Sequence, residues 1–86
     1  MKLRFISDPG HGWVEIPKGL LTTLGISPAR ISTYSYQNDT HIYLEEDCDA
    51  GVVIEALKAR GDEVEFESVY QDPTPIRNMR AWRIPA

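Results

Sequence analysis

The sequence is poor in the residue types that usually announce chemistry. Cys48 is its one cysteine, so it forms no intrachain disulfide and no cysteine-cluster zinc site, and a reducing compartment suits it. Its two histidines, His11 and His41, belong to no H-E-x-x-H pattern, and G-x-S-x-G, Walker A and G-x-G-x-x-G patterns are also missing. Zinc-peptidase, hydrolase-elbow and phosphate-loop chemistry are therefore not signalled. Uninterrupted apolar runs reach only a few residues, against about 20 for a membrane-spanning helix. The opening Met1-Lys2-Leu3-Arg4-Phe5-Ile6 is not followed by the apolar stretch of roughly 7–15 residues that marks a secretory signal. A cytoplasmic, soluble chain is expected. Nor is there a basic excess: nine Lys and Arg face thirteen Asp and Glu, for a net charge of −4, which argues against a general polyanion binder.

What is present is a globular composition, 42% hydrophobic and 26% charged in 86 residues, enough for one domain. The charge is unevenly spread. Residues 1–44 carry a net +1; residues 45–72 carry ten carboxylates against Lys58 and Arg60, a net −8; residues 73–86 carry Arg77, Arg80 and Arg83, a net +3. Residues 1–72 are accordingly expected to form the domain and residues 73–86 a basic tail docked on it.

Alternation of charged and apolar residues from Lys2 to Ile6 predicts a strand, Ser7 to Gly12 a turn, and Trp13 to Ile16 a second strand completing a hairpin. The two glycines of that turn are expected to supply left-handed conformations. Pro17 and Gly25 bracket a short helix over Lys18 to Leu24. β-Branched and aromatic residues predict strands over Ile31 to Tyr36 and Thr40 to Glu45, and Ala50 to Arg60 reads as a helix capped by Asp47 or Asp49. Glu63 to Glu67 alternates as a strand with glutamates facing solvent, and Pro75 opens a short helix in the tail. The order β-β-α-β-β-α-β, with two helices and a short basic tail, predicts an α+β fold on a small antiparallel or mixed sheet.

Three constellations are candidate sites. Asp8, His11 and Trp13 form a glycine-rich loop in which a carboxylate could orient an imidazole, suiting a ligand or a general base; the same residues also suit a tight turn with Trp13 in the core. Glu45, Glu46, Asp47 and Asp49 surround Cys48, which is expected to pack against the sheet, its pKa raised by the flanking anions. With Glu63, Glu65 and Glu67 these acids make a candidate partner-binding row. Tyr34 and Tyr36 share one strand face and Ser35 the other, suiting core packing or base stacking. In a helical tail the i, i+3 spacing of Arg77, Arg80 and Arg83 would align them, toward phosphate or toward the chain's own glutamates. No metal, cofactor or catalytic residue is expected, and the chain reads as a non-enzyme.

The stretch Gly12-Trp13-Val14-Glu15-Ile16-Pro17-Lys18 through Leu24-Gly25-Ile26, with Ile31 to Tyr36 and His41 to Glu45 after it, resembles the AbrB-type swapped-hairpin motif. That resemblance implies a homodimer of interlocked chains contacting DNA through basic strands or loops. Ser7-Asp8-Pro9-Gly10-His11-Gly12-Trp13, Tyr34-Ser35-Tyr36 and Tyr43 to Ala50 together resemble a group of small bacteriophage and prophage proteins. This second resemblance implies an accessory protein in the cytoplasm of a bacterial host, of a size class that binds and inhibits host machinery, including defence systems. The leading expectation is a binding protein that modulates a host protein or nucleoprotein complex through its acidic surface. The alternatives are an AbrB-like regulator and a small-molecule site or enzyme at Asp8 and His11.

Overall fold

A computed structural model describes residues 1–84; Pro85 and Ala86, the last two of the expected tail, lie outside the described residues. The strands are β1 (Lys2–Ser7), β2 (Gly12–Pro17), β3 (Tyr36–Gln37), β4 (His41–Glu45), β5 (Glu65–Tyr70) and β6 (Arg80–Ala81), and the α-helices are α1 (Gly19–Thr23) and α2 (Ala50–Ala59). They form an α+β domain on one mixed sheet in the order β5-β1-β2-β4-β3-β6. β5 runs parallel to β1, the pairing that a crossover through α2 permits, and every other pair is antiparallel.

Side-chain alternation sorts the strands onto two faces. One face sends Leu3, Val14, Ile16, Ile42 and Leu44 against Leu20 and Leu21 of α1 and Val53 and Leu57 of α2. The other buries Ile6, Trp13 and Tyr43 under Ile76, with Tyr36, Val69 and Met79 packed around them. Residues 71–79 cross this second face, and the chain then joins the far edge as β6, so the sheet has a sixth strand. A 3-10 turn at Pro75–Asn78, capped by the Thr74 hydroxyl, replaces the expected tail helix. Trp82, next to β6, enters the first core and donates its indole N–H to Pro28 O at 3.1 Å.

Local chemistry moves several boundaries. Pro17 ends β2 opposite His41 instead of opening α1, which begins at Gly19. Ser27 caps a 3-10 turn over Pro28–Arg30, and the segment after it turns through the Ser35 N–H to Ser32 carbonyl bond, leaving β3 two residues long. The left-handed glycines are Gly25 (φ 68°) and Gly61 (φ 92°), at the ends of the helices, not those of the β1–β2 turn. Gly12 serves a different need: a Cβ there would collide with the Phe5 ring and lie 2.9 Å from Glu46 Oε2.

Candidate functional site

The acidic residues that form one block in the sequence separate in space. Asp49 is only 2% exposed, and its carboxylate accepts bonds from Ser32 N (3.0 Å), Ser32 Oγ (2.7 Å) and Ser35 Oγ. It makes no side-chain cap for α2, because these donors in the loop before β3 already take its oxygens. Glu45, 6% exposed, accepts from the amides of Asp47 and Cys48 at 2.8 and 2.9 Å and ties the β4–α2 turn. Both therefore face inward and drop out of the expected row. Glu46 and Asp47 are exposed but line different cavities on opposite faces. Cys48 is exposed, not packed against the sheet; its hydrogen bond to Glu45, desolvation and the surrounding carboxylates push its pKa up.

Glu63, Glu65 and Glu67 stay together on or beside β5, the outermost strand on its side, and all three are exposed. None of the ion pairs among the described residues involves them. Between and beyond them Phe66 is 44% and Tyr70 66% exposed. The register Leu3↔Phe66 and Phe5↔Ser68 sets Phe66, Ser68 and Tyr70 on the helix-covered face, and Glu65, Glu67 and Val69 on the other. Beside Phe66 a cavity of about 410 Å³ opens between α2 and the β1–β5 end of the sheet, walled by Phe5, Val14, Ala50, Ile54 and Phe66. Sequence reasoning missed Phe66 and Tyr70 as exposed groups, and Phe5 and Ile54 as half-buried walls of this cavity. Their apolar character implied core positions, and nothing local says that α2 stops short of this end.

The Asp8 loop closes on itself and on the C-terminal segment. Asp8 Oδ1 accepts from the amides of Gly10 (2.9 Å) and His11 (2.8 Å), while its two carboxylate oxygens take the Nε and Nη2 of Arg77 in a two-pronged pair. The Arg77 hydrogen bond is the main cause, with the two amides, of an Asp8 pKa held well below the usual carboxylate range despite desolvation. The Arg77 guanidinium also lies 5.4 Å from the Trp13 ring centroid. His11, Trp13, Tyr34, Tyr36, Glu45 and Arg77 border a cleft of about 270 Å³, where Tyr34 is exposed and Trp13 buried with its indole N–H unpartnered among the described residues. His11 Nδ1 stands 3.6 Å from Glu45 Oε1. Tyr43, below this face, hydrogen-bonds Glu15 at 2.9 Å, and burial together with that carboxylate pushes its pKa up.

The tail arginines meet aspartates instead of glutamates: Arg77 pairs with Asp8, and Arg80 with Asp39 at 3.3 Å. The 3-10 turn followed by β6 takes them off a common helical stripe. Lys18, Arg80 and Arg83 instead border a concavity of about 600 Å³ beside β6. Among the described residues no group of three or more His, Cys, Asp or Glu is arranged to hold a metal ion, and no helix is long and apolar enough to cross a membrane. No protein-family model, curated protein or solved structure matches the chain.

Proposed function

We propose that this chain is a non-enzymatic binding protein whose acidic β5 edge engages a basic surface of another macromolecule. The observation that carries the reading is the grouping of Glu63, Glu65 and Glu67, exposed and outside any ion pair among the described residues, with exposed Phe66 and Tyr70 on the same outermost strand. Exposed carboxylates accelerate encounter with a cationic partner and select against anionic ones, while the aromatic groups supply desolvated contact area. The resemblance to small phage proteins directs the proposal to a host protein or nucleoprotein complex in a bacterium. The test uses the immobilised chain as bait for bacterial lysate at low and high salt, beside a bait carrying Glu63→Gln, Glu65→Gln and Glu67→Gln. Basic proteins retained by the first bait, released by salt and absent from the second are the expected result; equal retention on both baits overturns the reading.

The basic concavity of Lys18, Arg80 and Arg83 favours one second reading, an AbrB-like contact with nucleic-acid phosphates. A gel shift with duplex DNA at low salt that Arg80→Gln and Arg83→Gln abolish would support it, and no shift would remove it.

A further inference from the structure

We infer that β5 receives an additional strand from outside the chain: an extended segment of a partner protein in which basic and apolar residues alternate. The inference rests on the acidic-edge reading and adds how the partner is held. Glu65 N donates to Met1 O at 2.9 Å and Gln71 N to Ser7 O at 2.8 Å, both toward β1. Backbone groups alternate between the two edges of a strand, so the amides and carbonyls of Phe66, Ser68 and Tyr70 turn outward. Among the described residues no strand meets them. A row of outward N–H and C=O groups is a template for strand addition, in which the main chain gives affinity and alternate side chains give selectivity.

The side chains define what the added strand must look like. On one face its apolar residues would enter the cavity of about 410 Å³ beside Phe5, Ile54 and Phe66. On the other its basic residues would stand beside Glu65 and Glu67. The chain already carries this pattern on the inner side of β5, where Lys2-Leu3-Arg4-Phe5 runs opposite Glu65-Phe66-Glu67-Ser68 residue for residue. An outside segment of the same alternation repeats the match. A second copy of the chain fits less well: β5 against β5 brings glutamates together, and β6 is two residues long against six for β5. Glutamates on an open edge thus discourage self-pairing while favouring a cationic strand.

The test is fluorescence anisotropy of the full chain with a capped, labelled hexapeptide alternating Lys or Arg with Val or Leu. Two control peptides accompany it, one of the same composition with its bases grouped and one N-methylated at alternate amides. The alternating peptide should bind and shift the amide resonances of Phe66, Ser68 and Tyr70. N-methylation, or Ser68→Pro in the chain, should weaken it roughly tenfold or more by removing inter-strand hydrogen bonds. Proline is compatible with an edge position whose N–H faces solvent, and the methylated peptide tests the same bonds without altering the protein. If all three peptides bind alike and Ser68→Pro changes nothing while Glu65→Gln with Glu67→Gln weakens them, strand addition is wrong and the acidic-edge reading stands. If no peptide binds, or binding ignores both salt and the glutamine substitutions, both fail. A dimer in light scattering that Ser68→Pro abolishes would assign the edge to a second copy and overturn the inference.

Discussion

The two edges of the sheet are opposites. β5 is six residues long, carries exposed Glu65 and Glu67, and lies beside an incompletely covered apolar cavity. β6 is two residues long, carries Arg80, and is followed directly by Trp82, which is anchored in the core. Glu65 and Glu67 of β5 and Arg80 of β6 therefore stand at opposite ends of one sheet, and the total of −4 describes neither. Under the proposed function, the difference also separates stability from binding. The basic edge is held by core packing, whereas the acidic edge spends exposed aromatic area and unpaired charge that do little for folding.

The largest test of that separation is Trp82→Ala. Truncating a buried tryptophan costs about 3–5 kcal/mol, against a total of roughly 4–13 kcal/mol for a chain of this length. Urea denaturation should register a loss of that size, with the indole bond to Pro28 broken. A loss below about 1 kcal/mol, near the scale of a surface substitution, would mean that the β6 end is as dispensable to folding as the β5 edge. Asp49→Ala should come next. It leaves the Ser32 and Ser35 donors without their carboxylate, at about 1–3 kcal/mol, and marks Asp49 as a structural acid distinct from those on β5.

Elements carried by short-range pattern were legible in the sequence; those fixed by distant partners were not. Lys2-Leu3-Arg4-Phe5 alternates, and β1 is there; of the helical stripe Ala50, Val53, Ile54 and Leu57, all but the half-buried Ile54 are buried in α2. Alternation places a strand over Glu63 to Glu67, whereas β5 begins at Glu65 and continues through Ser68-Val69-Tyr70, because pairing with β1 runs from Lys2↔Glu65 to Ser7↔Tyr70. Ile31 to Tyr36 has strand composition, yet Asp49, seventeen positions beyond Ser32, draws its start into a loop. Arg77 and Asp8 meet across 69 positions, and no spacing rule joins them. For the candidate site, the charge of Glu63, Glu65 and Glu67 was readable. The exposure of Phe66 was not, since it depends on where α2 ends its cover.

Acid titration sharpens the comparison further, because Asp8, in the β1–β2 turn, anchors Arg77 of the stretch that carries the chain across the sheet toward β6. Its native pKa lies below the ordinary value of 3.8, so the unfolded chain takes up a proton there first as pH falls. The stabilisation from Asp8 is complete above about pH 4 and is lost progressively as pH drops toward the native value. Asp8→Asn removes this contribution, so the variant should be less stable than the parent at neutral pH and the gap should close in acid. Thermal melts from about pH 7 to about pH 2, an interval that spans carboxylate titration, measure it. A gap that stays constant through the acid range would show that Asp8 acts only as a neutral turn former.

The smallest effect is expected on β5. Glu65→Gln and Glu67→Gln remove charge without removing packing, and neither glutamate belongs to an ion pair among the described residues. Stability should change by no more than about 0.5 kcal/mol, and relief of repulsion within the acidic segment can make the sign favourable. The same double variant should weaken binding of a basic strand, so urea melts and peptide titrations of one protein separate the two roles. If the melt shifts by several times that amount, the glutamates hold the sheet together across β1, where Lys2 and Arg4 stand opposite them, and the acidic edge is a structural seam like the basic one.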